Sequence, residues 1–175
     1  FKAYLTYDDR LDDSALFQVL RQAREDGLVI PAHCENDGVV NFLRGWYKSQ
    51  GLTAPIYHAR SRRAGCEAEA VSRLLHLAAL AGEAPVYVVH LSSAAGLAEV
   101  RKARAAGQRH FGVETCTQYL TLTEEAYSDP QEGLKAIMSP PLRTGADFAA
   151  LWGGLADGSA DAVATDHCPF RFAVE

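Results

Sequence analysis

The sequence has 175 residues, 48% of them hydrophobic, and its 22 acidic against 17 basic side chains give a net charge of −5. That is enough apolar material for one sizeable core, while the scattering of Lys and Arg through helix-like stretches argues against a nucleic-acid partner. The longest apolar run, Leu74 to Ala81, is interrupted by His76 and falls well short of the roughly 20 residues of a membrane helix, so no membrane partner is expected. Cys34, Cys66, Cys116 and Cys168 are widely spaced and form no CxxC pair. They suggest neither a zinc knuckle nor a disulfide framework, and a reducing cytoplasm fits best.

In chain order, β-rich apolar runs predict buried strands at Phe1 to Tyr7, Leu28 to Cys34, Val86 to Ser92, His110 to Cys116 and Ala160 to Asp166. Helical patterns separate most of them. Ser14 to Asp26 puts Leu16, Phe17, Leu20 and Ala23 on one face and stops at Gly27, a natural C-terminal cap. Cys66 to Ala81 and Ala94 to Ala106 follow, and Gly51, Gly82 and Gly107 punctuate later helices in the same way. The stretch Thr117 to Arg143 is irregular, because Pro130, Pro140 and Pro141 exclude a long regular element; it reads as a functional loop.

This alternation predicts an α/β chain with a parallel sheet. Five strands are too few for a closed eight-stranded barrel of about 250 residues. The first residues read as strand and the last carry no helical pattern, so the expectation is one domain, residues 1–175, truncated at both ends.

Polar residues stand at the downstream ends of apolar strands: His33 after Leu28–Ala32, His90 after Val86–Val89, Asp166 after Ala162–Thr165. In a parallel barrel those ends converge on one mouth, where catalytic groups sit. Each has a bland reading, a hydrogen-bonded structural histidine or a helix-capping aspartate. Together, two imidazoles and a carboxylate are the donor types zinc-class ions prefer. Lys2, inside an apolar run, reads by itself as a paired or snorkelling lysine. His76 and His110 read as structural or exposed; His58, placed in a loop ahead of a helix, is ambiguous. There is no GxSxG elbow, P-loop or GxGxxG fingerprint.

Six motifs, Phe1-Lys2-Ala3-Tyr4-Leu5-Thr6-Tyr7, Ala32-His33-Cys34-Glu35-Asn36, Val89-His90-Leu91-Ser92, Glu114-Thr115-Cys116-Thr117-Gln118-Tyr119-Leu120, Met138-Ser139-Pro140-Pro141-Leu142-Arg143 and Ala164-Thr165-Asp166-His167-Cys168-Pro169-Phe170, together resemble the dihydropyrimidinase and hydantoinase family in order and spacing. The resemblance runs essentially end to end. It implies a metal-dependent (β/α)8 TIM barrel of which this chain supplies the later strands, and hydrolysis of the cyclic amide bond of dihydropyrimidines or 5-substituted hydantoins. Allantoinases, dihydroorotases and non-catalytic relatives are the alternative readings.

The resemblance also implies a site with two divalent ions, Zn2+ by family habit, bridged by a carboxylated lysine that Lys2 matches. This reverses the bland reading of Lys2. His33 and His90 match ligands of one ion and Asp166 a ligand of the other, doubling as the proton carrier. Tyr7 matches the oxyanion donor and Ser139 a residue that holds the cyclic imide. Two further ligands are implied from an HxH motif on an earlier strand, and the sequence contains no HxH. A homotetrameric parent protein is implied likewise.

Overall fold

A computed structural model of the chain describes residues 1–168. Pro169 and Phe170, the end of the last motif, lie outside the described residues. Five strands, β1 (Ala3–Tyr4), β2 (Ile30–His33), β3 (Val86–Val88), β4 (Phe111–Cys116) and β5 (Ala162–Ala164), form one parallel sheet in the order β1-β2-β3-β4-β5. Every strand lies beside its successor in sequence. A doubly wound sheet reverses its order at a switch point; this one does not reverse, and so has the winding of a barrel arc.

All five expected strands are present, shorter than their apolar runs. The ladder register runs through Ala3↔Ala32, Ala32↔Val88, Val88↔Val113 and Cys116↔Ala164. Beyond it, Tyr7, His90 and Asp166 take positive φ, at 79°, 42° and 45°, which ends the extended backbone. Lys2 stands immediately ahead of β1 instead of inside it.

The helices are α1 (Asp13–Asp26), α2 (Asp37–Ser49), α3 (Ile56–Ser61), α4 (Ala64–Leu80), α5 (Ala94–Ala105) and α6 (Gly145–Ala156). Helix α1 starts where the Asp12 carboxylate accepts from the Ala15 amide at 2.8 Å and ends at Gly27, φ 68°, a left-handed turn that glycine adopts without a Cβ clash. Helix α6 has no counterpart among the sequence expectations. Its signal was present: Thr144 and Asp147 form a reciprocal capping box. The Thr117 to Arg143 stretch is irregular as expected, with three short 3-10 turns. His58, expected in a loop, sits in α3.

Helices α1, α4, α5 and α6 contact one another in succession and cover one face of the sheet. The core lies between these layers. Leu16 and Leu20 of α1, Leu74 of α4, Leu97 of α5 and Leu151 of α6 are fully buried in one cluster with Ala32, Val88 and Val113 of the strands. Each such leucine contributes about 1.5–3 kcal/mol by leaving water. The helix layer thus fixes the strands, and the strands fix where their downstream ends point.

Candidate active site

The ends of β2 and β3 bring the two candidate histidines into contact. His33 closes β2 and His90 follows β3 by two residues. Both are 2% exposed, and His33 Nδ1 lies 3.0 Å from His90 Nε2. Burial holds the His90 imidazole well below its ordinary pKa, with His33 and the Lys2 ammonium adding to the effect. Lys2 is therefore within electrostatic reach of the pair. Its Nζ stands 5.3 Å from the centroid of the Tyr4 ring.

Asp166 follows β5 by two residues and is exposed. Its charge is felt at Cys116, the last residue of β4: burial, then Asp166, push that thiol up to about 12, while Lys2 opposes them. Lys2 thus acts on groups at the ends of both β3 and β4. Of the four non-glycine residues with positive φ among the described residues, three are the site candidates Tyr7, His90 and Asp166. Such backbone costs of order 1–3 kcal/mol per residue and clusters at functional sites.

Tyr7 and Ser139 meet at the same mouth. The Tyr7 ring is tilted over His33 with centroids 5.1 Å apart. Burial raises the phenol's pKa, and a side-chain hydrogen bond with Ser139 partly offsets this, so Tyr7 keeps its proton across the neutral range. Ser139 Oγ also lies 3.5 Å from His58 Nε2, and that nitrogen donates to the Met138 carbonyl at 2.7 Å. His58, ambiguous in sequence, anchors the segment that carries Ser139. Of the expected site residues, His33, His90, Tyr7 and Ser139 are in one neighbourhood, with Lys2 and Asp166 linked to it through their charges.

Over nearly its whole length the chain is 49% identical to D-phenylhydantoinases of Escherichia coli, among them those of strains O1:K1 / APEC and K12 / DH10B, covering 99% of this chain and 37% of theirs. Its structure superposes on the dihydropyrimidinase of Brevibacillus agri with a TM-score of 0.94 at 39% identity, over 98% of this chain and 38% of that one. For the D-hydantoinase of a Thermus species the TM-score is 0.93 at 38% identity, over 97% and 37%. Along nearly its whole length the chain is similar to hydantoinases and dihydropyrimidinases. It spans a little over a third of the length of these relatives. No family model matches it.

Around this hydantoinase-like mouth lies a buried charged network that sequence reading did not assign. Glu35 is 0% exposed; its Oε2 lies 2.7 Å from His33 Nε2 and accepts from Arg62 at 2.5 Å. Burial opposes its ionisation, yet the His33 hydrogen bond and the Arg62 guanidinium outweigh that and hold the carboxyl below its usual range. Arg62 also lies 5.5 Å from the Tyr7 ring centroid. Arg143 donates to the Arg62 carbonyl and, at 3.1 Å, to Ser92 Oγ. Glu67 accepts from the amide and hydroxyl of Ser92, at 2.9 and 2.7 Å, and from the Ser93 hydroxyl. Two carboxyl groups and two guanidiniums are thus joined in one hydrogen-bonded network that reaches His33. Glu35 and Arg143 stood inside the quoted motifs; what the sequence lacked was any sign of who pairs with whom.

Among the described residues no three His, Cys, Asp or Glu side chains converge as a complete metal site. The buried histidine pair nonetheless suits a zinc-class ion, since two imidazole nitrogens from separate strand ends face each other and a carboxylate backs one of them.

Proposed function

We propose that the protein of which these residues are part hydrolyses the cyclic amide bond of hydantoins or dihydropyrimidines with the help of divalent metal. The contact between His33 Nδ1 and His90 Nε2 carries the reading, because it sets two metal-type donors beside Tyr7 and Ser139. The names of its relatives, D-phenylhydantoinase and dihydropyrimidinase, point to the same substrate class.

In this reading His33, His90, Asp166 and a Lys2 carboxylated by carbon dioxide would hold the divalent metal. A carbamate would convert a cation near the buried histidines into an anion, removing the charge that opposes a metal there. Bound divalent metal, zinc in the simplest case, would lower the pKa of water so that hydroxide is available near neutral pH. Asp166 takes the proton of the attacking water and passes it to the leaving amide nitrogen, first as base and then as acid. Tyr7 donates its phenol hydrogen bond to the oxyanion that develops on the ring carbonyl. Ser139 holds the imide, on a segment that His58 fixes in place.

The homotetramer, the assignment of residues 1–175 to one barrel domain and the cytoplasmic setting are parts of the same proposal. Consistent with a reducing compartment, Cys34, Cys66, Cys116 and Cys168 are all free. No helix of the described residues is long and apolar enough to cross a membrane. Turnover of hydantoin, dihydrouracil, allantoin and dihydroorotate by the complete natural protein decides the substrate. Preference for either of the last two would move it to an allantoinase or dihydroorotase reading.

A further inference from the structure

The two histidines are not equivalent, and the difference lies in Glu35. Its Oε2 is the partner of both His33 Nε2 and Arg62 Nη1. Arg62 has no acceptor to offer, so this oxygen accepts from the guanidinium, as an ionised carboxylate does. An acceptor-only group requires His33 Nε2 to carry a proton. Glu35 Oε2 is shared between Arg62 Nη1 and His33 Nε2, so the one proton the geometry requires of His33 is on Nε2.

With its proton on Nε2, His33 presents a bare Nδ1. The 3.0 Å contact to His90 Nε2 then needs its one proton on His90. On that proton placement His90 Nδ1, which is buried without a hydrogen-bond partner, is left as a bare lone pair. We infer that Glu35 is a positioning residue that presets His33 in its metal-ready Nε2–H tautomer, whereas His90 must move its proton from Nε2 to Nδ1 before a metal can bind between them. This rests on reading His33 and His90 as metal ligands.

The Arg62 contact gives Glu35 its fixed orientation. Glu35 is fully buried, and its carboxylate is held from α3's C-terminal end by Arg62, whose own carbonyl is held by Arg143. Carboxylates behind metal-binding histidines fix the tautomer and ring orientation, and their loss typically weakens metal affinity 10–100-fold.

The test uses the complete natural protein labelled with ¹⁵N-histidine, at one slightly alkaline pH, metal-free and then with zinc chloride alone. His33 is expected to show the Nε2–H pattern in both states, and His90 to change from Nε2–H to Nδ1–H on adding zinc. In Glu35→Ala the His33 tautomers are expected to mix and zinc affinity to fall roughly 10- to 100-fold. Glu35→Gln keeps an acceptor oxygen for both donors and is expected to recover most of that loss. An Nδ1–H or doubly protonated His33 in the metal-free wild type would overturn the inference, as would unchanged zinc affinity in a folded Glu35→Ala protein or failure of the wild type to bind zinc. If Glu35→Ala does not fold, the wild-type tautomers and the glutamine variant decide. Absence of hydantoin hydrolysis with these tautomers intact would instead count against the functional reading alone.

Discussion

His33 Nδ1 and His90 Nε2 are 3.0 Å apart at the ends of adjacent parallel strands, both buried, and one of them is backed by the ionised Glu35. Removing either ring takes away a donor of the proposed metal position. His33→Asn and His90→Asn are each expected to lower zinc content and to cut hydrolysis by more than about a hundredfold, since losing a supporting partner alone reaches that size. Metal analysis of the purified variants, paired with rates on hydantoin, checks this.

Tyr7 tests the chemistry separately from metal binding. Tyr7→Phe is expected to lower kcat by roughly 10²–10³, the usual cost of one oxyanion donor, while zinc content and thermal midpoint stay near wild type. At 36% exposure, the ring has little of its packing tied to the hydroxyl. A rate within twofold of wild type would return Tyr7 to the status of a packing aromatic.

The buried Glu35–Arg62 pair makes a stability prediction. Arg62→Ala leaves an uncompensated carboxylate and is expected to cost about 3–5 kcal/mol in chemical denaturation. Combining Glu35→Gln with Arg62→Ala should cost less than the two changes added together, because the partners share one interaction. Full additivity would show that they do not act as a pair.

The segment that carries Ser139 is fastened by two tyrosines and should loosen in alkali. Tyr119 donates to the Pro140 carbonyl at 2.7 Å, and the Leu142 amide donates to Tyr127 Oη at 3.0 Å. Burial raises both phenols above their ordinary pKa of 10.0, Tyr119 most strongly. The folded state therefore keeps protons that the unfolded state releases above pH 10. Stability from these groups is complete below that pH and falls as pH rises through their folded values. Denaturation at pH 9 and pH 10.8 should show the loss, and Tyr119→Phe should flatten it; an equally steep loss in that variant would remove Tyr119 as its source.

Much of this was written in the strand ends. His33, His90 and Asp166 each follow an apolar run, and in a parallel sheet the end of such a run can only lie at the downstream mouth. Lys2 had no such signal, because an isolated lysine beside an apolar run is equally at home at a surface; only the family resemblance singled it out. Glu35 and Arg62 are 27 residues apart and their pairing is tertiary, which periodicity does not encode. Helix α6 was missed because its apolar face is interrupted by Gly153 and Gly154, and Gly154 packs directly against Leu97.

The most direct measurement is metal content together with hydantoin and dihydrouracil turnover in the complete natural protein, purified without chelator, against its Asp166→Asn variant. Expected are about two zinc-class ions per chain, as in metal-bridged hydrolytic sites, with turnover of the cyclic amides that the variant loses. Protein free of such metal, with hydrolysis unchanged by Asp166→Asn, would contradict the proposed centre at its root.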